Sequence, residues 1–361
     1  MRILWLAHRD ILDPRRGGAE RTIVELSTRL ASRGHEVHVV LPRFGDSPRD
    51  ELVHGVKLHR APTPIGPHLR SLSLYASSGK ETVVVNDLGH VLPWLTPYCS
   101  TSPGVAFFRH LHQRTLSGQT NRFAAAALKW VERRYHLLYG RWTIVTESSS
   151  SVRDLGFLGF NPSQCVEIPP GVDTRAFTVG PKSETPSIIY FGGFRSYKRP
   201  LDALRACAGL KDRGLSFRLY LVGRGSTSRP VADELARLGL ASSTQALGKI
   251  DETSLATLIR SCHVNVHCAV AEGWCYSALE ASASGVPTVA YRVPGISDCV
   301  VDKETGLLVP DGNVEDLTNG LETVLRSPES WIQPCRSRAE KFTWDRCADR
   351  WEDCLRSAAR F

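Results

Sequence analysis

VNVHCAVAEGWCYSALEASASGVP, residues 264–287, is the stretch that decides the fold. Val264 to Val270 reads as a strand, Glu272-Gly273-Trp274-Cys275-Tyr276 as a loop, and Ser277 to Ser284 as a short helix. Gly285 stops that helix and Pro287 opens the next strand. Glu272 then belongs to the loop and Glu280 to the first helical turn. The N–H groups of the loop and the positive end of the helix point at whatever lies before them, which favours an anion. Two carboxylates beside such a cradle suit a phosphorylated sugar, with an acid for the hydroxyls and amides for the phosphate. The plainer readings are a capping box for Ser277-x-x-Glu280 and a solvated loop acid for Glu272.

EGWCYSALEASASGVPTVA resembles the Glu-x7-Glu signature of retaining GT-B glycosyltransferases, family 4 (group 1) in particular, where it is usually written EGFG or EGWG followed by LEAmAxGxPVva. The resemblance implies an α/β fold of two Rossmann-like, doubly wound domains facing a central cleft. It further implies a donor site in the second domain and an acceptor side in the first. It covers nearly the whole chain and is strongest at residues 17–40, 188–200 and 264–312; roughly 45–130 is the weakest match.

At 361 residues the chain holds two ordinary domains, each with room for its own core. The domains expected are 1–170 and 175–344, joined through IPPGVDTRAF, with the C-terminal helix 345–361 packing back on the first. No apolar run reaches the length of a bilayer span, and MRILWLAHRD enters a strand directly, which argues against a signal peptide or an anchor. The ten cysteines show no C-x-x-C pair and no zinc spacing, so they read as reduced cytoplasmic thiols. A net charge of +8 suits anionic ligands such as nucleotide diphosphates, or an anionic membrane surface. No nucleic-acid motif accompanies it.

Along the chain, RILWLA is a buried parallel strand. Gly17 and Gly18 precede a helix over 19–33, whose stripe of Ile23, Leu26, Leu30 and Ala31 has helical spacing. Free N–H groups at such a start face a ligand. GGAERTIVELSTRLASRGHEVHVV is similar to the family's opening, which places Gly17 and Gly18 by the donor phosphates and the acceptor. GVAFFRHLH carries His110 and His112 to a strand's carboxyl end, where α/β sheets bind ligands. His110 resembles the family histidine beside the reacting sugar; the plain reading is a surface histidine pair with Arg109 and Arg114 as neighbours. Residues 122–139 read as one basic helix. Its Phe123, Ala127, Trp130, Val131, Leu137 and Leu138 fall near one face, for core packing or, with Lys129, Arg133 and Arg134, for a membrane surface.

SIIYFGGFRSYKRPLDALRACAGL opens the second domain with a strand, two glycines, a basic loop and a helix, again a phosphate cradle. It resembles the family's "GRl…KG" motif. Lys198 falls on the lysine that contacts the diphosphate, while the family's arginine aligns with Gly193, leaving Arg195 or Arg199 to replace it. By the same resemblance Glu280 holds the ribose hydroxyls, and Glu272 with the backbone of Gly273, Trp274, Cys275, Tyr276 and Ser277 holds the sugar. No Asp-x-Asp occurs, so the expectation is transfer without a catalytic metal or cofactor. The expected partners are a nucleotide-sugar donor and a hydroxyl acceptor, in the cytoplasm or at the inner membrane face. A nucleotide-sugar-binding scaffold on the same fold is the alternative.

Overall fold

Arg2–Leu6 (β1) is apolar on both faces, the pattern of a parallel strand covered from two sides, and four of its five residues are buried. The computed structural model describes residues 1–14, 17–63, 65–77, 82–89, 92–99, 104–116 and 120–359. It divides into two compact units, Met1–Gly171 with Trp344–Phe361, and Val172–Thr343.

In the first unit β1 is joined by β2 (Glu36–Pro42), β3 (Asp50–Val53), β4 (Val56–Ala61), β5 (Thr82–Asp87), β6 (Gly104–Phe108), β7 (Thr143–Thr146) and β8 (Cys165–Glu167). The sheet runs β3-β4-β2-β1-β5-β6-β7-β8. β3 is antiparallel to β4, and the other pairs are parallel. Ordering reverses at β1, so the chain ends of β1 and β5 flank the switch point where open sheets take ligands.

The last helix, Trp344–Ala358, belongs to this unit although the chain reaches it from the other. Trp351 is fully buried against Trp5 and Phe107, with ring centroids 5.0 and 4.8 Å away. Arg29 pairs with Asp345 at 2.8 Å, and Arg33 with Asp349 and Glu352 at 2.6 and 3.0 Å. Solvent-screened pairs of this kind contribute roughly 0–1 kcal/mol each, whereas truncating a buried tryptophan costs about 3–5 kcal/mol. The aromatic packing therefore holds the helix, and the ion pairs set its register.

The expected helix over 122–139 is two helices, Arg122–Glu132 and Tyr135–Tyr139. At the end of the first, Glu132 turns inward, accepting from the backbone N–H of His112 and Gln113 at 2.8 and 3.0 Å. Tyr135 and Tyr139 enter the core, and Val131 and Leu138 of the expected face pack against it. Phe123, Trp130 and Leu137 are 79%, 57% and 73% exposed, so core packing does not account for them. Among the described residues no helix is long and apolar enough to cross a membrane.

The second unit begins and ends on paired residues, Val172 beside Thr343. Its sheet comprises β9 (Ser187–Phe191), β10 (Arg218–Val222), β11 (Thr244–Gly248), β12 (Val264–His267), β13 (Thr288–Tyr291) and β14 (Gly306–Val309). The order is β11-β10-β9-β12-β13-β14 and every pair is parallel. Helices Pro200–Asp212, Tyr276–Ala283 and Val314–Arg326 cover it, burying Leu204, Leu279 and Leu321.

Candidate active site

β12 ends at His267, three residues before the expected Val270. The cause is a change of partner: Val270 donates its N–H to Tyr197 O at 2.9 Å instead of continuing the sheet. That bond joins the loop after β12 to the turn Ser196–Lys198 after β9. It brings Lys198 to Glu272, whose Oε1 accepts from Lys198 Nζ and lies 3.0 Å from His267 Nε2. The side chains of Lys198, Glu272 and His267 are 18%, 13% and 4% exposed.

These groups fix one another's charge. Burial alone would raise the Glu272 carboxyl, but Lys198 and His267 pull it down to about 2. Burial likewise disfavours the His267 cation, yet Cys275 and Glu272 raise it to about 9. Lys198 is held above its ordinary value against burial by Glu272, and the Cys275 thiol is drawn below its own by His267. Lys198 is thus no solvated lysine. Its partner is Glu272.

The helix after the loop spans Tyr276–Ala283, with Cys275 as N-cap and no side-chain cap hydrogen bond. The Ser277–Glu280 capping box therefore does not form; Ser277 lies inside the helix, its Oγ 3.3 Å from His267 Nδ1 and 3.5 Å from Cys275 Sγ. Glu280 falls in the second turn rather than the first, half-buried. The Tyr276 N–H is given to Trp274 O at 3.2 Å, and without a side-chain cap the Ser277 N–H is the first-turn group suited to an external acceptor. Gly273, Trp274 and Cys275 are buried, and Trp274 packs on Phe342 at 5.3 Å, so Trp274 offers backbone, not its ring. Tyr276 is half-buried.

The two arginines of the basic loop have different surroundings. Arg199 Nη1 bonds Asp311 Oδ1 at 2.7 Å and its guanidinium lies over Tyr291. Arg195 is exposed, and its Cγ passes 3.9 Å from where a Cβ on Gly193 would stand. Gly192 and Gly223, after β9 and β10, press together so closely that a Cβ on Gly223 would stand 1.8 Å from Gly192 O.

In the first unit Gly17 donates its N–H to Glu20 Oε2 at 2.6 Å. The amide expected to face a ligand is thus already used, and the Glu20 carboxylate opposes a phosphate at this helix start. His110 is half-buried just past β6, its ring 4.5 Å from that of His112. His112 is buried and held by Glu132 Oε1, 3.1 Å from its Nδ1. Arg109 is not a surface neighbour. It is buried, donating to Asp87 at 2.6 and 3.2 Å, to Glu147 at 3.0 Å and to Ala19 O at 3.1 Å. It ties the ends of β5, β6 and β7 to the helix Gly18–Ser32.

A family model for glycosyl transferases group 1 matches residues 173–341, and one for glycosyltransferase family 4 matches residues 16–176. The chain belongs to the group 1 glycosyltransferases. A D-inositol 3-phosphate glycosyltransferase of Saccharomonospora viridis is 30% identical over 219 residues, covering 55% of this chain and 51% of that protein. The chain thus spans about half the length of that relative. A glycogen synthase of Mycobacterium tuberculosis is 24% identical over 373 residues, covering 91% and 87%. The sucrose-phosphate synthase of Thermosynechococcus elongatus superposes with a TM-score of 0.84 at 19% identity, covering 99% of this chain and 98% of that one. Anabaena Alr3699/HepE in complex with UDP and glucose gives 0.76 at 16%, covering 99% and 100%. The fold is therefore GT-B, as the sequence implies.

Two features of this group 1 chain were not read from its sequence. His267 is one, although a polar residue closing the apolar run VNVH marks a strand end. The Asp87–Arg109–Glu147 cluster is the other, since its members are 22 and 38 positions apart.

Proposed function

We propose that this chain transfers a glycosyl group from a nucleotide-diphosphate sugar to a hydroxyl acceptor, with retention of anomeric configuration and without a catalytic metal. The Lys198–Glu272–His267 cluster beside an uncapped helix start carries the reading. As the bond from the anomeric carbon to the diphosphate breaks, its electron pair leaves with the phosphate oxygen. Lys198, Arg195 and the N–H of Ser277 receive that charge. The acceptor oxygen adds on the face the diphosphate vacates, and its proton passes to the departing phosphate. Glu272, kept anionic, stabilises positive charge at the sugar and holds its hydroxyls; Glu280 holds the ribose. His110 serves the reacting sugar, and the Gly17–Gly18 turn the acceptor side, since Glu20 makes it a poor phosphate cradle.

UDP is the first nucleotide to try, because Anabaena Alr3699/HepE is similar in fold and holds UDP and UDP-glucose. A thermal-shift panel of UDP, GDP, TDP and ADP with their sugars, with and without chelator, tests the reading. One nucleotide is expected to raise the midpoint selectively and independently of chelator, and Glu280→Ala to weaken that response with the fold intact. No response to any nucleotide would contradict it. Binding of a donor with no turnover across acceptors would favour a scaffold.

The chain is further proposed to work in the cytoplasm, peripherally on an anionic membrane. Phe123, Trp130 and Leu137 are exposed among Arg122, Arg133 and Arg134, with the Arg134 guanidinium 3.7 Å above the Trp130 ring. The helix Thr96–Cys99, with Tyr98 76% exposed, adjoins the helix Tyr135–Tyr139. Inserting one such ring contributes roughly 1.5–3 kcal/mol, or about ten- to a hundredfold in binding. Flotation with phosphatidylglycerol vesicles is expected to carry the chain, and phosphatidylcholine vesicles to leave it behind. Trp130→Ser should lose at least tenfold (about 1.4 kcal/mol) in that binding; an unchanged variant would contradict the assignment.

A further inference from the structure

Both ring nitrogens of His267 are engaged, Nε2 at 3.0 Å from Glu272 Oε1 and Nδ1 at 3.3 Å from Ser277 Oγ. The ring is buried and lies parallel to Tyr190, centroids 6.5 Å apart. The same oxygen of Glu272 also accepts from Lys198. One carboxylate oxygen thus carries two cationic donors, one more than its charge requires. If the diphosphate reading of Lys198 above holds, on which this inference rests, that lysine must leave Glu272 when the donor arrives. A lysine leaving a buried carboxylate that had no other cation would strand a buried anion, which low-dielectric surroundings strongly oppose.

We propose that His267 is a positioning residue that holds Glu272 anionic and in place while Lys198 exchanges the carboxylate for the donor diphosphate. His267 acts through Glu272 and does not itself touch the donor. Its second bond, to Ser277, anchors the ring to the start of the helix, so it stays when Lys198 moves. The exchange then leaves two paired charges where there had been three groups on one oxygen, with the incoming diphosphate as the new partner of the lysine.

The groups facing His267 are Glu272, Cys275 and Ser277 on the segment after β12, Tyr190 on β9, and Lys198 from the turn after β9, with Cys268 next in the chain. Burial holds Tyr190 and Cys268 well above their ordinary values, so both stay neutral. Lys198 is raised and stays charged, while Glu272 is held at about 2 and stays anionic. Between neutrality and about pH 10 the change of charge therefore falls on His267 with Cys275 beside it.

Calorimetric titration of the full chain with UDP, or with whichever nucleoside diphosphate the panel selects, tests this over about pH 7 to 10. Wild-type affinity is expected to fall about tenfold or more across that range as His267 loses its proton. His267→Gln, which can still donate an amide hydrogen bond but cannot protonate, should bind at neutral pH as weakly as the wild type at high pH. It should also lose the pH dependence. Cys275→Ser should still fall with pH, its midpoint moved lower because Cys275 no longer raises His267. A residue of merely structural importance would lower the melting temperature of His267→Gln and leave its pH profile unchanged. Tight binding with a flat wild-type profile overturns the role of His267 alone. Absence of nucleoside diphosphate binding at every pH overturns the diphosphate reading as well.

Discussion

Glu272→Ala is expected to lower turnover roughly 10²–10³-fold and to destabilise the second unit by about 2–4 kcal/mol. The sequence alone leads only to the first effect, since a loop acid that holds a sugar can be removed without harm to the fold. The structure adds the second, because Glu272 is the shared anion of Lys198 and His267, with only 13% of its side chain exposed. Breaking a buried pair costs about 3–5 kcal/mol when one charge is stranded, and the residual exposure here moderates that figure. For turnover, loss of one preorganised charge at the reacting centre corresponds to a fall of roughly 10²–10³.

The same cluster gives the stability difference between wild type and Glu272→Ala a definite pH course. Glu272 lies at about 2, below its ordinary 4.5, so its contribution is present above 4.5 and lost as pH falls toward 2. His267 lies at about 9, above its ordinary 6.5, so its contribution is full below 6.5 and lost as pH rises through 9. The difference should therefore be greatest between about pH 4.5 and 6.5 and shrink on both sides. Denaturant titrations at several pH values check this. Equal stability and equal turnover in the two proteins would contradict the assignment of Glu272.

Gly295→Ala is expected to cost about 3 kcal/mol or more and to depress turnover with it, although residue 295 touches no substrate in the proposed scheme. Its φ is +78°, a region costly for alanine, and a Cβ there would stand 2.1 Å from Glu272 O and 2.5 Å from Glu272 C. Those are backbone atoms, which cannot rotate away as a side-chain tip can. The two segments are also tied by Glu272 N–H donating to Pro294 O at 3.1 Å. Relief of the clash must therefore shift Glu272, and with it the ends of Lys198 and His267. Gly156→Ala is the matching control, since a Cβ there meets nothing within 4 Å and Gly156 lies in the helix Ser149–Phe157. It should be neutral or stabilising by up to about 1 kcal/mol. A Gly295→Ala protein with wild-type melting and turnover would show that the loop after β12 tolerates displacement.

The parallel strands were legible because a strand buried on both faces must be apolar throughout, as in RILWL and SIIYF. The loop-then-helix form of 268–283 was legible from Gly285 and the run of small residues before it. What escaped was what depends on pairing between distant positions. No local pattern shows that Val270 leaves the sheet for Tyr197, and that one bond moves a strand end and brings Lys198 to Glu272. The helix at 122–139 misled for a related reason. Its periodicity marks an apolar face but cannot say which of its residues meet a core: Val131 and Leu138 do, while Phe123, Trp130 and Leu137 stay exposed. The Gly17–Gly18 turn shows the same limit, since a glycine pair before a helix reads as a free anion cradle until Glu20 is seen to occupy it.

The central claim is that the second unit binds a donor diphosphate through Lys198. Calorimetric titration of the selected nucleoside diphosphate into wild type and Lys198→Ala, at neutral pH and with chelator present, tests it most directly. A charge-assisted contact contributes roughly 1.5–3 kcal/mol, so the variant is predicted to bind about ten- to a hundredfold more weakly. Equal affinity in the two proteins would contradict the account.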